Sequence, residues 1–420
     1  MKVCLIGYRG NPFSGGQGIY LYHLSRELAR LGHTVEVIVG PPYPDPMEDW
    51  ARLHRVPNLN LWGLYRGEWL SQNDPFAVFR PGNLFEFGAT RLRFFPEPLA
   101  FSFRAFGVLH RLLRTGRFDI LHDVQTLGYG MWAMMAFGIP LVTTVHHPLT
   151  IDRRESFRRD RTLEELYHTT VFFPVAMQGF VIRRLTHVIT SSQASSEALQ
   201  RDFRVRPERI TIVPNGLDTE LFRNPGVLKR RKDTLLFVGN TDDFKKGAIV
   251  LLKALRILPE TVALRIVDEP FPRKTLIPLE VERMGLEKRV TFTGRLAPDR
   301  LVEEYCRCTM LVQPSLFEGF GLPAAEALAC ATPVVASDVG AVAEVVSPPT
   351  GLLVPPADPE ALAAAILELL RDPARRRALG AAGRERMVER FAWPIAARNT
   401  VRVYERVVES HGRAAAAGAR

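Results

Sequence analysis

Ser315–Val346 reads SLFEGFGLPAAEALACATPVVASDVGAVAEVV, with Glu318 and Glu326 on either side of a turn built from Gly319, Phe320, Gly321 and Leu322. The preceding run MLVQPS (310–315) is short and apolar, as a buried parallel strand is. Pro323 suits the first turn of a helix. The pattern is therefore strand end, glycine turn, helix start. At such a point unpaired backbone N–H groups and the helix dipole favour an anion. Gly319 and Gly321 let the backbone approach a ligand closely. Glu326, about one turn into the helix, points back along it, where its carboxylate can accept hydrogen bonds from vicinal hydroxyls such as those of ribose or a hexose. A carboxylate repels phosphate, so the acids are assigned to hydroxyls and the turn amides to phosphate. The plainer alternative is a helix whose first-turn acids complement its dipole.

The same strand–helix alternation extends in both directions. KVCLIG, a helical pattern ending at Gly32 and TVEVIVG form a βαβ unit at the start. The rhythm resumes at FDILH (118–122), IPLVTTVHH (139–147) and LTHVITSS (185–192). Residues 41–100 are rich in Pro, Gly and aromatics and read as strands and long loops, the usual place for a variable substrate-facing surface. After VPNGLDTELF (213–222), strands are expected at 234–239, 262–267, 290–294, 310–313 and 333–337, with helices at 246–258, 300–308 and 323–331. Such alternation predicts an α/β chain of two doubly wound, Rossmann-like domains. They are placed at 1–215 and 234–392, with a linker at 216–233. A helix at 393–410 packs back toward the first domain, and a disordered tail fills 411–420.

The bulk numbers fit this division. A chain of 420 residues, 46% apolar and 24% charged, exceeds one ordinary core. Cys4, Cys306, Cys308 and Cys330 lie in or beside apolar runs, and no His or Cys pair follows at zinc spacing. The expectation is a reduced cytoplasmic protein with no secretory signal. Residues 128–145 lack charge, but Gly138 and Pro140 split them into a helix and a strand, and VFFPVAMQGFV (171–181) is too short to span a bilayer. The net charge is +10, and residues 151–232 carry 16 basic against 10 acidic side chains. RRESFRRDR (153–161) and KRRK (229–232) are the dense clusters. They read either as solvated surface or as attraction to anionic lipid or an anionic substrate. No aromatic-interleaved basic motif accompanies them, so nucleic acid is not expected.

EGFGLPAAE with PVVASDVGAVAEVV resembles the donor-site motif of the retaining family 4 glycosyltransferases, enzymes of the GT-B fold. SGGQG (14–18), TTVHH (143–147), VPNGLDTELF (213–222), FVG…KKG (237–247) and GLLVPP (351–356) extend the resemblance over nearly the whole chain in the family's order. It implies two domains facing each other across a cleft. The activity implied is transfer of a hexosyl unit from a UDP- or GDP-linked sugar, a co-substrate rather than a cofactor, with no metal required. The acceptor would be a glycan, a lipid-linked precursor or a small molecule, and an acceptor at an anionic membrane face would bring peripheral contact. Under the resemblance Glu326 binds ribose, Glu318 contacts the transferred sugar, and Gly319 to Leu322 meet sugar hydroxyls and phosphate. Lys246 stands at the phosphate-binding position, Gly15 and Gly16 lie under the donor phosphates, and His146 lines the sugar and acceptor site. His147 is a second histidine beside it.

Other readings remain beside this one. Glu318 as a nucleophile would parallel the retaining glycosidases. The Lys245–Lys246 pair also fits a solvated helix start. Asn215, Gly216 and Asp218 shape a turn between domains. Asn240 replaces the arginine that the family usually has after the strand glycine, and Arg295 is the other cation following a strand. A donor-binding protein with lost catalysis, an epimerase or a phosphorylase are the alternative functions. The first loop is not G-x-G-x-x-G, and no acid follows at dinucleotide spacing, so NAD is not expected.

Overall fold

The computed structural model describes residues 1–11, 16–59, 75–268 and 276–418. The chain forms two compact units, Met1–Pro214 with Ala396–Arg420, and Asn215–Ile395.

Strands β1 (Lys2–Gly7), β2 (Thr34–Val39), β3 (Arg52–Arg55), β4 (Ile120–Val124), β5 (Leu141–Val145), β6 (His187–Thr190) and β7 (Ile210–Ile212) make the first sheet, in the order β3-β2-β1-β4-β5-β6-β7. Every pairing is parallel. The central strands β4 (ILHDV) and β5 (LVTTV) are buried at every residue, and their polar side chains, His122, Asp123, Thr143 and Thr144, are buried with the apolar ones. The edge strand β3, RLHR, is polar and partly exposed, as an unpaired edge requires.

The described residues between 41 and 100, namely 41–59 and 75–100, differ from the expected strands and loops. Apart from β3 they hold helices at Pro81–Arg91 and from Glu97, the second running to Leu112. Proline misleads here, because Pro81 and Pro98 stand in first helical turns, where the missing N–H costs nothing. Within Glu97–Leu112, Phe101, Ala105 and Leu109 are buried at helical spacing. The 128–145 segment divides as its sequence indicates. Helical turns cover Tyr129–Met134 and Met135–Phe137, Gly138 takes φ +67°, and β5 follows.

The second sheet contains β8 (Thr234–Val238), β9 (Ala263–Val267), β10 (Val290–Phe292), β11 (Met310–Gln313), β12 (Val334–Ser337) and β13 (Gly351–Val354), all parallel, in the order β10-β9-β8-β11-β12-β13. Residues 216–233 are part of this unit rather than a linker. Leu217 and Phe222 are buried in its core, the Leu217 N–H donates to Phe391 O at 2.6 Å, and Gly216 lies against the Trp393 ring.

The last helix spans Trp393–Gly418, so it continues past residue 410, where a disordered tail was expected. Four alanines at 414–417, the best helix formers, favour continuation. Tyr404 on this helix is fully buried and hydrogen-bonds His122 Nδ1 on β4, while His122 Nε2 meets Thr144 Oγ1 at 2.7 Å. Burial pulls the His122 pKa down to about 3, so the imidazole is neutral and serves as a structural link.

Helix Pro373–Arg390 approaches the end of helix Leu322–Ala329 through glycines. A methyl at Gly380 would lie 2.3 Å from Ala331 O, and one at Gly383 would lie 2.6 Å from a Leu328 methyl. Gly380→Ala is expected to destabilise the protein by about 1–3 kcal/mol through overpacking against backbone. Urea midpoints measure this; an unchanged midpoint would show that the two helices do not meet this closely.

Candidate active site

Ligands of open parallel sheets bind beyond the strand carboxyl ends, where the strand order reverses. In the second unit that place lies between β8 and β11, and in the first between β1 and β4.

The β8 loop carries Lys246 at the end of a 3-10 turn, Phe244–Lys246, followed by Gly247 at φ +68°. Gly247 sits on the loop after β11: a Cβ there would be 1.9 Å from Pro314 O. The Leu316 N–H donates to Lys245 O at 2.7 Å, joining the same two loops. This contact brings the Lys246 ammonium to Glu318 Oε1 at 2.8 Å, and the Ser315 hydroxyl donates to that oxygen at 2.9 Å. Glu318 is buried, and its backbone is held from the far side as well. Ala341 N–H donates to Glu318 O at 3.2 Å, and Gly340, at φ +53°, has no room for a Cβ beside that carbonyl. The structure thus unites Lys246 and Glu318, which sequence reasoning had placed separately on phosphate and sugar.

Helix Leu322–Ala329 begins at Gly321, whose φ of +90° suits glycine, and Pro323 stands in its first turn. Phe320 is buried with its ring against Phe391, so only its backbone is left to the turn. Glu326 is partly buried and accepts a hydrogen bond from the Tyr305 hydroxyl at 2.6 Å. Burial lifts its pKa to about 7, against the opposing effect of that hydroxyl. Gln313, the last residue of β11, was missed by sequence reasoning. Its Oε1 accepts from Ala324 N–H at 3.0 Å, while its buried Nε2 has no partner among the described residues. An unpaired buried donor beside Gly321 and a helix N-terminus adds to the donors directed at this turn. Only its place at a strand end could have signalled it.

Asn240 does not supply the missing cation. It is exposed, and its side-chain oxygen accepts from the Asp242 N–H at 2.9 Å, closing a local turn. Arg295 follows β10, two strands from β8, and is exposed with no hydrogen bond or ion pair among the described residues.

In the first unit, Gly15 lies outside the described residues. Gly16 opens helix Gly16–Arg30, is exposed and has space around it, whereas a Cβ at Gly18 would be 1.9 Å from Asn11 O. Gly18 is therefore the glycine that the packing itself demands. His146 follows β5, and its ring meets Tyr20 edge-on at 4.9 Å. His147 Nε2 lies 2.8 Å from Asp152 Oδ2, so the second histidine is engaged with the helix that follows it, Leu149–Arg159.

The loop that steadies both histidines was not foreseen. Gln125 and Leu127 take φ +53° and +49°, an uncommon conformation for such residues. Buried Asp123 accepts from Thr126 N–H, Leu127 N–H and Thr143 Oγ1 at 3.1, 3.1 and 2.9 Å, holding this turn. Gln125 in turn accepts from His146 N–H at 2.8 Å and donates to His147 O at 2.9 Å. Burial raises the Asp123 pKa to about 6.

Among the described residues no group of three or more His, Cys, Asp or Glu is arranged to hold a metal ion, and no helix is long and apolar enough to cross a membrane.

Residues 14–221 match the family described as Glycosyltransferase Family 4, and residues 218–386 match glycosyl transferases group 1. The MMP alpha-(1->4)-mannosyltransferase of Mycolicibacterium hassiacum is 39% identical over 97% of this chain and 98% of its own. The D-inositol 3-phosphate glycosyltransferase of Xylanimonas cellulosilytica is 31% identical over 94% and 92%. Among solved structures, the sucrose-phosphate synthase of Thermosynechococcus elongatus superposes with a TM-score of 0.74 at 26% identity, covering 97% of this chain and 99% of that one. The chain belongs to the group 1 (family 4) glycosyltransferases, enzymes of the GT-B fold.

Glu326 gives a test of the site's electrostatics. Its folded pKa, about 7, lies above the ordinary 4.5. Its contribution to stability is therefore greatest below pH 4.5 and is lost as pH rises to about 7. Glu326→Gln keeps an acceptor for Tyr305 without the charge. The variant should gain on wild type across that window, by at most roughly 3 kcal/mol above pH 7. Denaturation at a series of pH values reads the difference, and a flat difference would mean that Glu326 is well solvated.

Proposed function

We propose that the protein transfers a hexosyl unit from a nucleotide diphosphate sugar to an acceptor hydroxyl, retaining the anomeric configuration. Mannosyl is the unit to test first, because the relative at 39% identity is a mannosyltransferase. The observation that carries the reading is the Lys246–Glu318 pair at the β8/β11 switch point, beside a helix N-terminus and Glu326. One cation and a set of backbone donors suit a leaving diphosphate, on which negative charge grows in the transition state. Glu318 and Glu326 suit hydroxyls of the sugar and of the ribose. In this reading the acceptor oxygen bonds to the anomeric carbon on the face from which the diphosphate departs. The sugar–phosphate C–O bond breaks, and the diphosphate takes the acceptor's proton. His146 is assigned to the sugar and acceptor.

The basic segment lends less support to an anionic membrane than its composition indicates. In helix Leu149–Arg159, Arg154 pairs with Asp202 at 3.1 Å and Arg158 with Glu155 at 2.6 Å. A glycan or other soluble acceptor is favoured over a lipid-linked one.

Asn240 keeps the second reading, donor binding without transfer, as a defined outcome. Incubation with GDP-mannose, UDP-glucose and related donors should release a nucleoside diphosphate from one of them. NMR of the glycoside formed should show the donor's anomeric configuration. Lys246→Ala should lower kcat by about 10²–10³-fold, the usual effect of losing one group that stabilises a developing anion. Binding without turnover would establish the second reading, and an inverted product would overturn retention.

A further inference from the structure

The second unit holds a cationic cavity at the opposite end of its sheet from Lys246 and Glu318. It measures about 290 Å³ and is lined by Asn224, Arg230, Thr309, Arg376 and Arg377, with Ala331, Pro333 and Ala381 completing it. Thr309 directly precedes β11 and Pro333 directly precedes β12, so the cavity opens at the amino ends of the strands. Ser315 lies six positions beyond Thr309, roughly 20 Å along extended chain. A ligand here is not the donor's diphosphate.

Three arginines line the cavity and no acid does. Two of the guanidinium groups, those of Arg230 and Arg376, are fixed mainly by carbonyl oxygens rather than neutralised by carboxylates. Arg230 Nη1 donates to Cys308 O at 2.9 Å and Thr332 Oγ1 at 3.4 Å, and its Nη2 donates to Ala331 O at 2.9 Å. Arg376 Nη1 donates to Leu369 O and, at 2.8 Å, to Leu370 O. Each guanidinium has five N–H groups. Two remain uncommitted on Arg230, on Nη2 and Nε, and three on Arg376, on Nη2 and Nε. Arg377 is exposed and makes no hydrogen bond or ion pair among the described residues. The Asn224 side chain spends its oxygen on Gly226 N–H and keeps its amide group free to donate.

The balance of charge is unfavourable without a ligand. Burial lowers the Arg376 pKa, Arg230 and Arg377 push it the same way, and Asp233 and Asp372 oppose them from outside the cavity. Asp372 is already engaged in capping helix Pro373–Arg390, where it accepts from Arg375 N–H at 2.8 Å. Planar guanidinium groups that are held in place, share one cavity and retain free N–H groups match the oxygens of a phosphate.

We propose that this cavity binds a phosphate-bearing small molecule, of the size of a phosphate ion or a sugar monophosphate, at a site separate from the donor's. The cavity also touches the elements that hold Glu326. Arg230 donates to Ala331 O and Thr332 Oγ1, Thr332 donates to Tyr305 O at 2.7 Å, and Tyr305 donates to Glu326.

The test is thermal denaturation of the full chain with inorganic phosphate and, separately, a hexose 6-phosphate, at fixed ionic strength set by sodium chloride. Wild type should gain roughly 3 °C at about ten times the dissociation constant. Arg377→Glu, which disturbs no internal hydrogen bond, should abolish the gain, and Lys246→Ala should leave it intact. A larger response to the sugar phosphate than to phosphate would identify a metabolite, and equal responses would identify the free ion. No gain in wild type, or a gain that survives Arg377→Glu and disappears in Lys246→Ala, would overturn the proposal. The Arg377→Glu protein should still respond to nucleoside diphosphates, so failure here is distinguishable from failure of the transferase reading.

Discussion

The seating of Gly247 on the Pro314 carbonyl is the contact on which the second unit's site depends. Any side chain at residue 247 would strike that carbonyl, and the positive φ favours glycine as well. Because the two loops touch, the last residue of the β8 turn can set its ammonium against a carboxylate from the β11 loop. The sheet order makes this possible: β8 and β11 are neighbours although 71 residues separate Val238, the end of β8, from Met310, the start of β11. A doubly wound fold thus brings together two loops distant in sequence at its switch point.

The same constraint orders the rest of the site. Glu318 is gripped at its carboxylate by Lys246 and Ser315 and at its carbonyl by Ala341 N–H beside Gly340. Glu326 is supported by Tyr305, and Gly380 and Gly383 let a further helix pack against the segment that follows it. Catalytic geometry held on packed helices and strand ends is more rigid than geometry held on free loops. In the first unit the corresponding role falls to Asp123, which fixes an unusual backbone turn so that Gln125 can brace the main chain at His146 and His147.

The sequence discloses the α/β fold because its strands are buried on both faces. Strands at 234–238, 310–313 and 334–337 fall within a residue or so of where apolar runs place them. It also points to Glu318, Glu326 and Lys246 as candidates, because their residue types sit beside glycines at strand ends, and the structure places them around the β8/β11 switch point. Other features were not legible, for identifiable reasons. The helices after residue 80 are opened by prolines that resemble loop markers. Gln313, Tyr305 and Asp123 act through partners up to 21 residues away, and nothing local marks them. The pairing of Lys246 with Glu318 spans 72 residues and follows from sheet order alone.

The central claim is that Lys246 and Glu318 form one receptor, the lysine for the donor's diphosphate and the glutamate for its sugar. Titration calorimetry of the matching nucleoside diphosphate, which lacks the sugar, tests it most directly on wild type, Lys246→Ala and Glu318→Gln. The account predicts weaker binding by Lys246→Ala. It predicts binding about tenfold tighter by Glu318→Gln, because the ammonium is released from a carboxylate that also repels the ligand. Weaker binding by both variants, or by neither, would contradict it.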